Sequence, residues 1–321
     1  MTSYHPYYKK RSISSVKSLS LALEVPEEVL IKMAENADQL YSQNTPIIKP
    51  NGDKRFTYSV KPQLKSIHEK IKTNIFHNVY YPSYLQGAIK SDETSRDYIY
   101  DALIHSHNTY FISEDISNFF PSITYGQVYD MWLYLFKFSN SVSKLLAKLT
   151  TYDGLVPQGS KTSSYIANLI FWRQEGDLVS KLKNNGITYT RFVDDITVSS
   201  KKFISDKEKT DIITGLYRMM HSIGVKPNRK KHFIGSSKKR VQIHNINVDG
   251  KAPSFGKNKL NEIRVSVYNC IKFAHKNGAA GSEYLKQYTS TMSKLGQMGR
   301  LHPNKSAKYK SELSKYKPTK I

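Results

Sequence analysis

Apolar and polar residues alternate on both sides of two adjacent aspartates near the middle of the chain. The segments Thr188–Val193 and Ile196–Val198, before and after the pair, are rich in β-branched and aromatic residues, which favour strands. Two such segments joined by Asp194 and Asp195 predict a β-hairpin with both carboxylates at its turn. Adjacent anions repel each other, and a divalent cation with oxygen ligands would remove that repulsion. Taken alone, the pair more often marks a polar hairpin tip than a metal site.

A third carboxylate follows another strand-like segment. Residues Asn108 to Asp115 contain an apolar core that ends in acid, and they predict a strand ending at Asp115. If this strand lies beside the hairpin, Asp115, Asp194 and Asp195 could together hold two Mg²⁺ ions about 4 Å apart. That arrangement suits in-line phosphoryl transfer, in which metal ions stabilise the attacking and the leaving oxygen.

Helical spacing of apolar residues fills most of the remaining chain. Residues 1–20 are polar, basic and rich in serine, and they predict a flexible arm. Residues 241–248 predict one more strand segment, and residues 255–321 predict a separate small helical domain with a basic surface. The segments with helical spacing are 25–40, 61–71, 92–107, 124–148, 165–170, 206–221, 260–274 and 285–295.

Two loops carry candidate ligand-binding residues. Residues Ile47–Val60 predict a hairpin around Asn51-Gly52, and its cations, Lys54 and Arg55, fit a triphosphate clamp as well as a solvated edge strand. The second loop, Pro157–Gly159, leads into a helix capped by serine and threonine. Its glycine would let the backbone approach an anionic or sugar-bearing ligand, although an ordinary capped loop has the same pattern.

Composition indicates a polyanionic partner. The 321 residues include 49 Lys and Arg against 26 Asp and Glu, a net charge of +23, together with 23 Tyr and 13 Phe. Such an excess of cations, interleaved with aromatic rings, is typical of nucleic-acid binding. The single cysteine, Cys270, excludes a disulfide framework and a Cys-based zinc site, in keeping with a reducing cytoplasm. No apolar run has membrane-spanning length and the start lacks a signal-peptide pattern, so we expect no membrane association.

Positive charge is concentrated after the aspartate hairpin. No acidic residue occurs between Asp211 and Asp249. A charge run is usually a solvated surface, but its place directly after a candidate two-metal site favours phosphate contacts. The cations of this stretch are Lys226, Arg229, Lys230, Lys231, Lys238, Lys239 and Arg240.

Taken in chain order, these segments resemble the motifs of a reverse transcriptase over about residues 50–250. The resemblance is specific because the motifs occur together and in the right order, whereas each is weak alone. The matching segments are Lys54-Arg55 for the triphosphate clamp, Asp115-Ile-Ser-Asn-Phe-Phe120 for the first palm motif, Val156-Pro-Gln-Gly159 for the nucleotide-site loop, Phe192-Val-Asp-Asp195 for the Tyr-x-Asp-Asp box, and Gly224-Val-Lys-x-Asn-x-Lys-Lys231 for the next palm motif.

Within that family the chain is most similar to bacterial retron reverse transcriptases. The segments Thr188–Ser199 and Gln158–Leu169 are close to retron versions, and Asp101-Ala-Leu-Ile-His105 resembles the retron Asn-Ala-x-x-His signature. Three positions depart from the pattern. Asp101 replaces Asn, Phe192 replaces Tyr, and Val241-Gln-Ile243 stands where Val-Thr-Gly is usual.

The resemblance implies an α+β right-hand polymerase with fingers, an antiparallel palm sheet and a helical thumb. We expect a basic arm and packing helix over 1–45, fingers over 46–110 with a retron-like region at 98–107, a palm with interleaved fingers elements over 111–250, and a thumb with a basic tail over 251–321.

The resemblance also assigns roles to individual residues. Asp115, Asp194 and Asp195 would be catalytic and bind two Mg²⁺, assisted by the Ile116 carbonyl. The expected dNTP-binding residues are Lys54, Arg55, Phe120, Gln158 and Gly159, with Phe120 as the gate against ribose. Lys230 and Lys231 are candidate general acids, and the expected RNA-binding residues are His105, Lys226, Arg229, Lys238, Lys239 and Arg240.

As a retron enzyme, the protein would copy a structured non-coding RNA into DNA from dNTPs, prime from an internal 2′-hydroxyl, and act in phage defence with a toxin or effector encoded nearby. Two alternatives stay open: another bacterial defence or mobile-element reverse transcriptase, protein-primed or untemplated, and a catalytically silent RNA-binding scaffold. Dependence of DNA synthesis on Asp194 separates the scaffold from the enzymes, and a 2′,5′ RNA–DNA branch separates the retron from its relatives.

Overall fold

The computed structural model describes residues 3–49, 52–90, 95–250 and 252–319. Its strands are β1 Tyr7–Tyr8, β2 Tyr41–Gln43, β3 Ile47–Ile48, β4 Lys54–Arg55, β5 Tyr58–Val60, β6 Val79–Tyr80, β7 Leu85–Gln86, β8 Tyr110–Ser117, β9 Thr188–Phe192, β10 Asp195–Ser200, β11 Lys226–Pro227, β12 Phe233–Ser236, β13 Gln242–Ile243, β14 Ile246–Asn247 and β15 Ser254–Phe255. Its α-helices are α1 Val16–Leu23, α2 Glu27–Glu35, α3 Pro62–Lys70, α4 Tyr98–His105, α5 Tyr125–Asp130, α6 Asn140–Thr150, α7 Ser163–Leu169, α8 Glu175–Asn184, α9 Asp206–His221, α10 Lys257–Asn277, α11 Ser282–Leu301 and α12 Pro303–Ser314.

The chain forms two compact units, and each is made of two separate stretches. The first unit consists of residues 1–97 and 110–234, and the second of residues 98–109 and 235–321. The region 98–107, which the sequence places with the fingers, therefore packs with the helices expected to form the thumb. The stretch 235–250, expected in the palm, lies in the second unit as well.

The first unit is organised around a sheet in which the strands β11, β8, β10, β9 and β7 lie side by side in that order. Strands β9 and β10 form the expected antiparallel hairpin, and β8 pairs antiparallel with β10 on its other side. Strand β8 does not end at Asp115 as expected. It continues to Ser117 because β11 pairs with residues Ile116 and Ser117.

The arm expected over residues 1–20 is ordered where the structure describes it, so that prediction is wrong. Strand β1 pairs with β6, and Ser15 caps α1 by accepting a hydrogen bond from the Ser18 backbone N–H. Leu19 and Leu23 are fully buried in the core of the first unit. Their four-residue spacing places both on one face of α1, a signal that the basic composition of the segment obscures.

The fingers hairpin is confirmed in part. Strands β3 and β4 pair antiparallel, but Asn51 lies outside the described residues. Strand β5 is not part of this hairpin and pairs with β2.

The expected helix 124–148 is interrupted between Phe136 and Ser139, where the chain turns inward around a cluster of aromatic side chains. That cluster contains Trp132, Phe136, Phe138 and Phe76, all buried.

The second unit has its own core, built from α10, α11 and α12. Ile263, Val267 and Cys270 of α10 are buried, whereas Leu285, the first apolar residue of the predicted helical segment 285–295, is 52% exposed. The buried face of α11 instead carries Tyr284, Thr291, Leu295 and Met298. Among the described helices, none is long and apolar enough to cross a membrane.

Candidate active site

Strand register brings the two halves of the acidic site together. Asp195 lies directly opposite Asp115 in the antiparallel pair of β10 and β8. The backbone N–H of Ile116 donates to the Asp194 carbonyl over 3.0 Å, which fixes the turn of the hairpin against β8. The chain thus places Asp115, Asp194 and Asp195 at one end of the sheet, as the sequence predicts.

The turn that carries Asp194 has an unusual backbone. Val193 has a φ of 59°, a left-handed conformation that is unfavourable for a β-branched side chain. The guanidinium of Arg191 donates to the Val193 carbonyl over 2.9 Å. Arg191 is itself held by the Glu175 carboxylate through two hydrogen bonds of 2.6 and 2.7 Å. A buried ion pair therefore supports the strained turn from behind.

The aromatic residue before the turn packs on a glycine. Gly87 has a φ of 74°, and a Cβ there would lie 2.5 Å from the Phe192 ring. The Gly87 carbonyl accepts a hydrogen bond of 3.3 Å from the Asn168 side chain. Phe192, which replaces the family's Tyr, is positioned by this close approach of ring and backbone.

Asp115 is held by two side chains from the segment after β11. The Asn228 amide donates to Oδ1 over 2.8 Å, and the Lys231 ammonium lies 2.5 Å from Oδ2. Burial lowers the pKa of Lys231, but the hydrogen bond and charge of Asp115 and the charges of Asp195 and Asp194 outweigh it, so the pKa is raised. Lys231 therefore carries its positive charge beside the acidic site. Lys230, the other candidate general acid, is exposed.

The carboxyl groups at the hairpin are unusually hard to ionise. Burial and the neighbouring Asp115 charge raise the pKa of Asp194, and burial followed by the Asp194 charge raises that of Asp195. Lys231 opposes both shifts, and the Arg55 charge opposes that of Asp194. The site thus has an excess of negative charge that a bound cation would offset.

The donor set fits a divalent cation in its chemistry, since carboxylate oxygens are the ligands that such ions prefer. Pro227, opposite Ile116 in the sheet, has no N–H with which to engage the Ile116 carbonyl. Within the four described ranges, however, no group of three or more His, Cys, Asp or Glu side chains is placed so that it could hold a metal ion as it stands. The Asp115 carboxylate is bonded to Asn228 and Lys231.

The predicted nucleotide loop is joined to strand β5. Tyr58 of β5 donates its backbone N–H to the Gln158 carbonyl over 2.8 Å. Gly159 has a φ of 119°, and a Cβ there would lie 2.6 Å from the Tyr58 carbonyl oxygen. The glycine is therefore required by the approach of β5, a reason different from the ligand contact that the sequence suggests.

The same loop is anchored from behind by a buried histidine. His68 Nε2 donates to the Leu149 carbonyl over 2.6 Å, and Nδ1 lies 3.0 Å from the Ser160 hydroxyl. The expected serine or threonine cap of α7 is not formed at Thr162. Ser163 donates to the Pro157 carbonyl instead and closes the loop.

The two phenylalanines after β8 have different surroundings. Phe119 is 3% exposed and stacks on Phe171 at 5.7 Å between ring centroids. Phe120 is half-buried and packs only partly against the core. Phe119 therefore belongs to the core, whereas Phe120 lies at its edge. Lys54 and Arg55 are both exposed on β4.

The expected RNA-binding residues are mostly at the surface. In the first unit Lys226 is exposed and Arg229 lies in a short helix with no buried residue, and in the second unit Lys238, Lys239 and Arg240 are exposed. His105 is different, because it is fully buried and burial lowers its pKa to about 4. Its burial argues against the direct RNA contact expected from the sequence.

The departures at Asp101 and at residues 241–243 lie close together in the second unit. Asp101, 1% exposed, accepts a hydrogen bond of 2.7 Å from His244 Nε2. His244 and Asn245 both have positive φ and form the tight turn between β13 and β14. Asp101 is thus linked by a carboxylate–imidazole contact to His244, the residue that directly follows Val241-Gln-Ile243.

Sequence comparison agrees with the geometry. The family described as "Reverse transcriptase (RNA-dependent DNA polymerase)" matches residues 47–251. The Retron Se72 reverse transcriptase of Salmonella heidelberg is 33% identical over 98% of this chain and 82% of its own. The Retron Ec48 reverse transcriptase of Escherichia coli is 32% identical over 99% of this chain and 80% of its own.

Structural comparison is much looser. A telomerase from Candida albicans, solved with a fragment of telomeric RNA, superposes on 66% of this chain and 41% of its own, with 11% identity and a TM-score of 0.40. So loose a superposition carries no conclusion about this chain. The family match and the two relatives suffice: the chain belongs to the reverse transcriptases, the RNA-directed DNA polymerases with the right-hand fold, and within them to the retron type.

Proposed function

We propose that this enzyme makes a branched RNA–DNA molecule from a cognate structured non-coding RNA, with an internal 2′-hydroxyl as the primer. The observation that carries the proposal is similarity to retron reverse transcriptases over 98% of the chain, which includes the second unit as well as the polymerase motifs. The proposal extends to phage defence with an effector protein encoded nearby. A cytoplasmic location is also part of it, since a chain with one cysteine has no intrachain disulfide and suits a reducing compartment.

Two Mg²⁺ ions are the proposed cofactor, since reverse transcriptases use divalent metal ions. Asp115, Asp194 and Asp195 would hold them, with the Ile116 carbonyl as an additional oxygen ligand. Asp115 would exchange its contact with Lys231 for the metal. When bound, the ions would supply positive charge that favours ionisation of the primer hydroxyl and stabilises the charge developing on the transferred phosphate.

The remaining roles are proposed from the family resemblance. Lys54 and Arg55 would bind the triphosphate. Both are exposed cations on the fingers hairpin, and Arg55 is close enough to Asp194 to lower its pKa, which supports that proposal. Gln158 and Gly159 shape the pocket for sugar and base, and Phe120 excludes the ribose 2′-hydroxyl.

The reaction joins the primer to the incoming nucleotide. The primer oxygen bonds to the α-phosphorus, the bond from that phosphorus to pyrophosphate breaks, and the hydroxyl proton passes to solvent. Lys231 rather than Lys230 donates a proton to the leaving pyrophosphate, because its ammonium is the one beside Asp115.

RNA binding would divide between charge and shape. Lys226, Arg229, Lys238, Lys239 and Arg240 would give salt-sensitive affinity for any RNA, as would the lysines of the C-terminal tail. Specific recognition would come from the helices of the second unit and from the hairpin held by Asp101. His105 would act as a buried support for this surface.

Primer extension with Asp194→Asn tests the polymerase site, since the change keeps the shape of the side chain and removes its charge. We expect nucleotide incorporation to fall at least about a hundredfold, with RNA binding and thermal stability unchanged. Asp206→Asn is the matched control, because Asp206 is an aspartate whose side chain is 98% exposed at the start of α9. Wild-type activity in Asp194→Asn would remove that residue from the metal site.

Sequencing the nucleic acid that copurifies with the protein tests the retron assignment. We expect one RNA species joined to DNA by a 2′,5′ bond that a debranching enzyme cleaves. DNA that is linear, or attached to a protein side chain, would instead favour one of the other reverse-transcriptase classes.

A further inference from the structure

Strand β8 presents two adjacent carboxylates on opposite faces of the sheet. Successive residues of a strand point to opposite sides, so Glu114 and Asp115 cannot share a partner. Each nevertheless meets one of two adjacent residues of the segment Arg229–His232. Lys231 Nζ lies 2.5 Å from Asp115 Oδ2, and His232 Nδ1 donates to Glu114 Oε1 over 2.6 Å.

The two contacts differ in burial. The Glu114 side chain is 0% exposed and that of His232 is 31% exposed. The Lys231 side chain is 60% exposed, so its contact with Asp115 competes with water and exchanges readily. Glu114 has a second, longer hydrogen bond of 3.5 Å from the Tyr217 hydroxyl. Losing the short bond to a buried carboxylate is costly, so the Glu114–His232 contact is more durable than that of Lys231 with Asp115.

The sheet fixes the Glu114 side of this contact. Glu114 lies opposite Ile196 in the pair of β8 and β10, one register position from Asp115 opposite Asp195. A group bonded to Glu114 is therefore positioned by the same two strands that position the acidic site. The backbone adds a second link, since Asn228 N–H donates to the Asp115 carbonyl over 2.7 Å.

We infer that Glu114 and His232 are positioning residues for Lys231. Their contact lies on the face of the sheet opposite Asp115, so it persists when Lys231 leaves Asp115 for the leaving pyrophosphate. The segment Arg229–His232 then stays on β8 and the ammonium stays within reach of the reaction. This inference rests on the proposed role of Lys231 as the proton donor.

A purely structural role for the same contact makes a different prediction. If Glu114 and His232 only stabilise the fold, their loss lowers stability and adds to the effect of any catalytic change. If they act through Lys231, their loss has no further effect once the Lys231 ammonium is gone. A double-mutant cycle separates the two cases because coupled residues are not additive.

The experiment compares His232→Ala, Lys231→Ala and the double variant in single-nucleotide incorporation at saturating and limiting dNTP. We expect Lys231→Ala to slow the maximal rate about a hundredfold, the scale of general acid catalysis. His232→Ala should slow it roughly tenfold, with the KM for dNTP little changed. The double variant should be as slow as Lys231→Ala and no slower.

Two further variants complete the design. Glu114→Gln retains an oxygen that can accept from His232, so we expect it to keep most of the activity that Glu114→Ala loses. His5→Ala is the matched control, because the His5 side chain is 45% exposed and its Nε2 lies 3.1 Å from Asp177 Oδ1, so its carboxylate partner is neither Glu114 nor Asp115. Its rate should equal that of the wild type. Should Glu114→Ala not fold, the partly exposed His232 still provides the test.

The outcomes separate this inference from the proposed function. A wild-type rate in Lys231→Ala means that Lys231 is not the proton donor, so that role and the positioning role both fall while the polymerase assignment stands. A slow Lys231→Ala with a wild-type His232→Ala overturns the positioning role alone. A double variant slower than Lys231→Ala by the full His232→Ala factor also overturns it, since the two effects would then be independent.

Discussion

Arg191 and Glu175 form a two-bonded ion pair in which neither side chain is more than 2% exposed. The pair is 16 residues apart in sequence and links α8 to β9. Arg191 also donates to the carbonyls of Ala167, Asn168 and Val193, at 3.2, 2.9 and 2.9 Å. One guanidinium therefore holds both the end of α7 and the turn before Asp194.

Removing Arg191 should be strongly destabilising. Arg191→Met leaves the buried Glu175 carboxylate without its counter-ion, with only the Tyr189 hydroxyl still donating to it over 2.7 Å, a change that costs about 3–5 kcal/mol. The double variant Arg191→Met with Glu175→Leu removes the uncompensated charge and should recover part of that stability, although the Tyr189 hydroxyl then loses its acceptor. Urea denaturation of the three proteins measures both effects.

The activity of that double variant gives a second readout. We expect polymerase activity to remain low even where stability returns, because no guanidinium then supports the Val193 carbonyl. Full activity would mean that the left-handed turn keeps its shape without Arg191.

Mild acid should weaken the fold through His68. Its Nε2 donates to the Leu149 carbonyl, so Nδ1 accepts from the Ser160 hydroxyl in the neutral ring, and burial lowers the pKa to about 4. In the unfolded chain the histidine pKa is about 6.5, its value in model peptides. Between these values the unfolded chain binds a proton that the folded chain does not. The contribution of His68 to the free energy of unfolding should therefore be fully present above about pH 6.5. It should fall by roughly 1.4 kcal/mol per pH unit from there down to about pH 4.

Denaturation midpoints of the wild type and His68→Gln at pH 7.5, 6 and 5 would measure that contribution. We expect the glutamine variant to be less stable at pH 7.5 and to lose less stability on acidification. His105 and the carboxyl groups titrate in both proteins, so the difference isolates His68. Identical pH slopes would contradict the assignment.

Gly159→Ala should displace the nucleotide loop. The added Cβ would lie 2.6 Å from the Tyr58 carbonyl oxygen. Because both atoms belong to or adjoin the backbone, the clash is relieved only if one of the two segments moves. We expect the KM for dNTP to rise about tenfold, equivalent to about 1.4 kcal/mol of binding. Gly154→Ala is the control, because Gly154 also has a positive φ, 71°, but nothing within 4 Å of the added atom. Equal effects of the two changes would show that backbone strain rather than the clash matters.

Phe120→Ala should admit ribonucleotides. The half-buried ring would leave space for a 2′-hydroxyl, so incorporation of rNTP relative to dNTP should rise by roughly tenfold or more. Phe119→Leu is the comparison, because Phe119 lies in the core against Phe171 and should affect stability without changing sugar choice. If the rNTP to dNTP ratio is unchanged in a folded Phe120→Ala, another residue excludes the ribose.

Local sequence signals predict the elements that depend on local contacts. Helix α9 begins and ends where the sequence predicts, because Ser205 and Glu208 form a capping box. The hairpin of β9 and β10 follows from β-forming residues on either side of the aspartate pair. In contrast, α12 has only Ser306 and Leu313 buried, and its lysine-rich sequence shows too little helical spacing for it to be predicted.

Contacts between residues far apart in the chain could not be predicted from the sequence. The bonds of Asp115 to Asn228 and Lys231 join residues 113 and 116 apart, and no local pattern specifies them. Nothing in the sequence indicated that Arg191 is buried, since arginine side chains are mostly exposed. The glycines gave a partial signal. Gly87 and Gly159 each mark a point where another part of the chain comes close to the backbone, but which part it is depends on the folded structure.

The second unit is built from two separate stretches of the chain, and this limits how RNA specificity could pass from one such enzyme to another by recombination. Asp101 and His244 come from its two separate stretches, so a gene segment that encodes only residues 235–321 transfers the histidine without its carboxylate. A recipient would then pair His244 with whatever residue it already has at position 101. Recombination between relatives should therefore preserve function only when both stretches are inherited together, and the short first stretch should record the ancestry of the C-terminal helices rather than that of the catalytic sheet.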